Sequence, residues 1–266
     1  MDEVLEKAVE RVIRAMRENL GEQITIDDMA RTAMFSKFHF SRMFQRVTGI
    51  SPGRFLSAMR LQEAKKLLLA TSLTVADISH RVGYNSIGTF SSRFRSSVGV
   101  SPTEYRQFGG YTHRLSTHFA HRDGGVTVRG VIQPPIAGTP GPVFVGLFPD
   151  RITQGNPVRC TIRRRLGAFS IEHVPVGVWH LMAHAAPADY DELHRGPSIL
   201  DERQTFVGAH GPIVIRQGTD PRPVDLWLRP RCIFDPPVLL APLDVRAVAY
   251  STVVSVIGHR WPAAAS

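Results

Sequence analysis

Residues 36–55 read SKFHFSRMFQRVTGISPGRF, and residues 86–105 read SIGTFSSRFRSSVGVSPTEY. Serines, two phenylalanines, a glycine and a Ser-Pro pair return at one fixed offset, while the residues between them are rewritten. Ahead of each copy lies a short helical pattern, TIDDMARTAMF first and TVADISHRVGYN second. Asp28-Met29-Ala30 aligns with Asp77-Ile78-Ser79, and the second copy spends one more residue before its serine. Small residues at 30 and 79 suit a close helix crossing, and Ser36 and Ser86 are natural N-caps for the helix that follows. In that helix Phe40, Met43, Phe44 and Val47 form one apolar face, while Lys37, Phe38, Ser41, Arg42 and Gln45 point elsewhere. A short helix, a tight turn and a second helix with a polar outer face is a helix-turn-helix, whose second helix enters the major groove. The repeated residues are then scaffold and the rewritten ones a reading surface. A bundle with duplicated packing would explain the phenylalanines but not the whole ordered set.

Outward from the repeat, SPGRFLSAMRLQEAKKLLLAT forms the bridge between the copies. Pro52 fits a first helical turn, and Phe55, Met59, Ala64, Leu67 and Leu68 supply a buried face. Before the first copy, Leu5, Ala8, Val9, Val12, Met16 and Leu20 recur at helical spacing until Gly21 offers a stop. Two reading helices joined by one stiff helix can reach successive major grooves, roughly 34 Å apart, and so read a non-palindromic site. Residues 22–110 carry 12 Lys/Arg against 6 Asp/Glu. This surplus suits phosphate contacts.

The whole chain of 266 residues has 32 basic and 23 acidic side chains, a net charge of +9 that favours a polyanionic partner. Cys160 and Cys232 are too few for a disulfide framework or a cysteine-built zinc site, and ordinary intracellular thiols are expected. MDEVLEKAVERVIRAM is charged throughout, unlike a signal peptide, and no stretch has the roughly 18 apolar residues of a membrane span. A cytoplasmic protein is expected, without membrane partners, metals or cofactors.

From about Val126 the pattern changes to short alternating or β-branched runs between Gly and Pro: TVRGVI, PVFVGLF, VRCTIRR, AFSIEHV, GVWHLMAHA, TFVGAH, PIVIRQG and VDLWLRP. These predict an antiparallel sandwich or barrel. The expected class is therefore α then β: a double helix-turn-helix domain over 1–110, a linker over 111–125, a β-sandwich over 126–247 and a tail over 248–266.

MA followed by FSKFHFSRMFQRVTGISPGRFL, then RLQEAKKLL, then ADISHRVGYNSIGTFSSRFRSSVGVSPTEYR, in this order and at these separations, resembles the AraC/XylS family of bacterial transcription regulators. The likeness covers a third of the chain. It implies sequence-specific binding of double-stranded DNA at an asymmetric promoter site, with RNA polymerase as a further partner. Carried over position by position, base reading falls on Lys37, Phe38, Ser41 and Arg42 in the first reading helix. In the second it falls on Ile87, Gly88, Thr89, Ser91 and Ser92. Gln45 extends the first set. Arg42 is the best single reader, since an arginine grips guanine bidentately. Phe38 suits a thymine methyl. Many family members carry arginine where this chain has Ser92, and here Arg93 and Arg95 stand beside it. Arg93 holds the slot of Met43, so it is expected to snorkel from an inward position towards phosphate. The first unit is expected to supply most base specificity and the second mainly to position the protein.

The second half resembles the transthyretin-like sandwich of carboxypeptidase regulatory domains, through VFVGLF and the G-x-F-x-I-x-x-V-P-x-G-x-W hairpin. That resemblance implies a fold and no chemistry. No G-x-S-x-G, HExxH or Gly-rich phosphate loop is present, and the chain is not expected to be an enzyme. His180 and His184 share a strand face with Met182 and read as solvent-facing rather than as a metal pair. His113, His118 and His121 read as linker, Cys160 as packing, and Arg163, Arg164 and Arg165 as a solvated edge. The family commonly places its effector domain before the DNA-binding half. Here the order is inverted, so no pocket residues carry over. The β half is expected to sense an unidentified small-molecule effector, to self-associate or to contact a protein. Two alternatives stay open: a small-molecule-binding or enzymatic β domain fused to an autoregulatory DNA-binding module, and a purely structural accessory.

Overall fold

A computed structural model describes residues 2–110, 125–188, 205–218 and 221–239, in which seven helices precede eight strands. Helix α1 (Asp2–Glu18) buries Ala8, Val9, Val12, Ile13 and Met16, the stripe set by its periodicity. Two similar units follow, α2 (Ile26–Ala33) with α3 (Lys37–Thr48), and α5 (Val75–Arg81) with α6 (Ile87–Val98). Between them runs the 19-residue α4 (Pro52–Ala70), and α7 (Pro102–Gln107) closes the helical half.

Repetition of sequence becomes repetition of packing. Phe40, Phe44 and Phe55 form a chain of ring contacts with centroids 5.6 and 5.5 Å apart. The matching residues Phe90, Phe94 and Tyr105 repeat it at 5.7 and 5.6 Å. Three of these pairs are edge-on and Phe90–Phe94 is tilted, and such ring contacts add to the area that they bury. Ala30 and Ser79, the small residues beneath the crossings, are both buried. Two arginines tie the bridge to its neighbours. Arg60 donates to the carbonyls of Leu20 and Glu22 at 3.0 and 2.5 Å, and Arg106 donates to those of Leu68 and Leu73 at 2.9 and 2.7 Å. No described helix is long and apolar enough to cross a membrane.

The strands are β1 (Val126–Gln133), β2 (Pro140–Phe148), β3 (Arg159–Arg163), β4 (Gly167–Val174), β5 (Gly177–Pro187), β6 (Phe206–Ile215), β7 (Val224–Trp227) and β8 (Arg229–Pro230). They form a three-stranded sheet, β4-β1-β7, and a five-stranded sheet, β3-β2-β5-β6-β8. Val128, Ile132, Phe169, Ile171 and Leu226 of the smaller sheet share one buried apolar cluster with Val143, Val145, Leu181, Ala183 and Phe206 of the larger. Strand alternation sends these residues inward.

The expectation of an antiparallel half needs a correction: β1 pairs parallel to β7. Those strands are distant in sequence, so no tight turn dictates their direction. TFVGAH and PIVIRQG, expected as separate strands, merge into the continuous β6. A third correction concerns His184, which is 4% exposed rather than solvent-facing. The outer face of the larger sheet is itself covered: Phe144, Phe148 and Cys160 pack there with Met182 and with Val238 from the segment after β8. Beyond them Ile152 and Leu239 join the buried core of the helical half. Arg163, Arg164 and Arg165 are exposed as expected. Cys160 is buried, which pushes its thiol up to about 11, while Cys232 is exposed; both are free. The linker histidines at 113, 118 and 121, most of the expected linker and the expected tail lie outside the described residues.

Candidate nucleic-acid interface

Each unit begins with a helix that is capped twice over. Thr25 accepts from the Asp28 backbone N–H, and the Asp28 carboxylate takes the Thr25 N–H in return. Thr74 and Asp77 repeat the arrangement in α5. These capping boxes hold both carboxyls below their usual range, chiefly through the threonine hydrogen bonds. Their signal in the sequence is T-x-x-D ahead of an apolar run. The turns then match: Phe35 N donates to Ala30 O at 3.0 Å and Tyr84 N to Ser79 O at 2.9 Å. The first turn puts Met34 in the left-handed region, at φ 63°. The second puts Gly83 there, at φ 85°, where an added Cβ would stand 2.5 Å from the Leu20 carbonyl oxygen. Only glycine fits so close a backbone approach.

Ser36 caps α3 by accepting from His39 N at 3.5 Å, and Ser86 caps α6 by accepting from Thr89 N at 3.4 Å. The caps fix which faces turn inward. Phe40, Met43 and Phe44 of α3 are buried, as are Phe90, Phe94 and Val98 of α6. The opposite face of α3 presents Lys37, Phe38, Arg42 and Gln45 exposed, with Ser41 half-buried. On α6, Ile87, Gly88, Thr89, Ser92, Arg93 and Arg95 are exposed and Ser91 is half-buried. Phe38 is 84% exposed and Ile87 43%. Both stand on the outward face beside the polar residues of their helices.

Individual positions differ in what they can offer. Lys37 lies 3.3 Å from Asp27 in an exposed ion pair, an arrangement weak enough to yield to a phosphate. Ser41 Oγ donates to the Lys37 carbonyl at 2.9 Å, leaving its lone pairs for a donor. Arg42 lines a hollow of about 570 Å³ between α1 and α3 together with Phe38, His39 and Arg46. His39 is exposed with its ring edge-on to Phe35, 4.8 Å between centroids; sequence reasoning passed over it. Arg93 holds the slot of buried Met43 and is exposed, so its charge reaches solvent. Gln45 lines a second cleft, of about 410 Å³, with Ser51, Arg54, Asp150, Arg151 and His180 where the two halves meet. Burial and the neighbouring Arg151 hold the His180 imidazole below its ordinary pKa. No group of three metal-ligating side chains occurs among the described residues.

The surface is thus a pair of capped helices, each offering cations, small polar groups and an apolar side chain on one outward face. Such a surface can grip phosphates, hydrogen-bond base edges and cover a methyl group. Comparison with known proteins places the match on the same residues. A family model described as a helix-turn-helix domain matches residues 29–107. Similar over 88 residues, at 34% identity, is the HTH-type transcriptional activator AarP of Providencia stuartii, over 33% of this chain and 65% of that protein. The transposon Tn10 TetD protein of Escherichia coli is 30% identical over 99 residues, 37% of this chain and 72% of its own length. The solved DNA-binding domain of AdpA, in complex with a target DNA, is 30% identical over 38% of this chain and 90% of that one, with a TM-score of 0.37. The chain spans from 35% to 65% of the length of the first curated relatives that it matches.

Proposed function

The chain belongs, through its helical half, to the AraC/XylS family of helix-turn-helix transcription regulators, and from that premise we propose that it binds an asymmetric promoter site and regulates transcription there. In this reading α3 and α6 enter successive major grooves. Lys37, Phe38, Ser41, Arg42 and Gln45 meet one block of bases, and Ile87, Gly88, Thr89, Ser91, Ser92, Arg93 and Arg95 the other. The observation that carries the proposal is the repeated cap, turn and outward face, in which scaffold residues are buried twice and the rewritten ones are exposed twice. The β half is a transthyretin-like sandwich, a reading supported by the single apolar cluster drawn from both sheets. RNA polymerase and a small-molecule effector are the partners such a regulator calls for. Selection from a random-sequence DNA library with the intact chain tests the proposal. Recovery of two unlike blocks about one helical turn apart is expected, and recovery of no preferred sequence contradicts it.

A second reading, a β half that binds a small molecule, has the 410 Å³ cleft with Arg54, Arg151 and His180 in its favour. The interior between the sheets holds apolar side chains from both, such as Val128, Phe169, Val145 and Leu181.

A further inference from the structure

The loop between β2 and β3, residues 149–158, touches both reading helices at equivalent points. Gly155 N donates to the Ser97 carbonyl in the last turn of α6, at 2.6 Å. Carbonyls in a last turn have no partner within their own helix, so this bond satisfies a group that would otherwise need water. Asn156 lies against Gly99, the left-handed residue ending α6, with Oδ1 3.5 Å from the place a Cβ would take. Arg151 lies in the same way against Gly49, which ends α3, with its Cδ at 3.5 Å. Gly49 and Gly99 are the same residue of the repeat. The loop is also pinned to the bridge and to the helical core. Asp150 pairs with Arg54 of α4 at 3.0 Å, and Ile152 is 2% exposed within the helical core. Leu239 N donates to Thr153 O at 3.1 Å, and Lys65 of α4 donates to Leu239 O at 3.0 Å.

We propose that this loop is a strap that fixes α3 and α6 relative to one another, so that the β half sets the spacing between the two DNA blocks. The proposal rests on the two-helix reading above. Turning either unit about α4 breaks one end of the strap, and an enforced geometry accepts one spacing where a loose one accepts several. Arg151, Ile152, Gly155 and Asn156 are then positioning residues for DNA specificity, although none lies on the reading face.

Gly155→Ala is the discriminating variant. Gly155 has φ 67°, and a Cβ there would stand 2.9 Å from the Ser96 carbonyl oxygen, so the change lifts the loop off α6 without entering either sheet. Spin labels on His39→Cys and Thr89→Cys, in full-length protein with Cys232→Ser, report the distance between the reading helices without DNA; Cys160 is buried and stays unlabelled. A narrow distribution is expected with Gly155 in place, and one at least about twofold broader with Gly155→Ala at unchanged circular dichroism. Asp150→Ala with Asn156→Ala is a milder second variant. On the duplex selected by the intact chain, loosening the strap is expected to cost about tenfold in affinity at the selected spacing. Binding to either block alone stays the same, and the preference over duplexes with one to three base pairs inserted shrinks. Unchanged distances and an unchanged spacing profile in both variants would overturn the strap. Broadened distances in a chain that selects no DNA would leave the strap standing and remove the DNA reading instead.

Discussion

Arg42 and Ser92 occupy one slot of the repeat, and both are exposed. An arginine there can take two acceptors of a guanine, whereas a serine hydroxyl offers one adaptable contact. Arg42→Ala is therefore expected to cost about 1–3 kcal/mol of binding to the selected site and to relax preference at one base pair. Ser92→Ala is expected to cost less; in parallel titrations, a larger loss from Ser92→Ala contradicts the assignment of base specificity to the first unit. Which side chains face outward was legible, because the 3.6-residue period and the caps at Ser36 and Ser86 settle it. Arg93 departs from the helical period, as the expected snorkelling of its side chain foresaw. Its slot is inward by analogy with Met43, but a guanidinium does not accept an apolar site when solvent lies within reach of its stem. The closeness of Gly83 to the Leu20 carbonyl was not legible, since it depends on how α1 meets the second turn.

At the scale of elements, the helices follow from local chemistry and the β half from what covers it. The Ser36 and Ser86 caps each satisfy one orphan donor, so Ser36→Ala or Ser86→Ala is expected to lower stability by about 1 kcal/mol in denaturant titration. Strand β5 is different. Its alternation reads as one buried and one wetted face, and this made His184 look solvent-facing. The helical half and the segment after β8 cover that face, and sequence period carries no trace of a layer added from elsewhere. Burial, then Arg231 from that segment and Lys65 from α4, push the His184 imidazole down to about 3. The folded protein therefore holds it neutral, while the unfolded chain takes up a proton below about pH 6.5. Stability from this group is complete above that pH and falls as acid is added, by about 2 kcal/mol at pH 5. Thermal melts between pH 7.5 and 5 check this. His184→Leu is expected to flatten the pH dependence, and an equally steep fall in that variant would remove the histidine from the account.

Across the whole molecule the two halves share a core. Ile152 and Leu239 come from the β half and are 2% and 0% exposed among helical residues. Burying each contributes about 1.5–3 kcal/mol. Residues 1–110 expressed alone are therefore expected to melt at a lower temperature than the helical half within the intact chain; equal melting would mean that the junction carries no stability. A division into helical and strand-rich regions was plain in the sequence, since the hydrophobic period changes near Val126. The junction was not, because the loop 149–158 has no period and its partners are distant along the chain. Charge acts at this scale too. If several phosphates are neutralised, the logarithm of affinity falls against the logarithm of salt with a slope of about −0.9 for each; a flat dependence for a specific site would exclude the electrostatic contribution. The central claim is that α3 and α6 occupy neighbouring grooves of one duplex. Hydroxyl-radical footprinting of the intact chain on its selected duplex tests this most directly. Two protected clusters about ten base pairs apart on one face of the DNA are expected, with Arg42→Ala weakening only one of them. A single cluster, or two on opposite faces, would contradict the account.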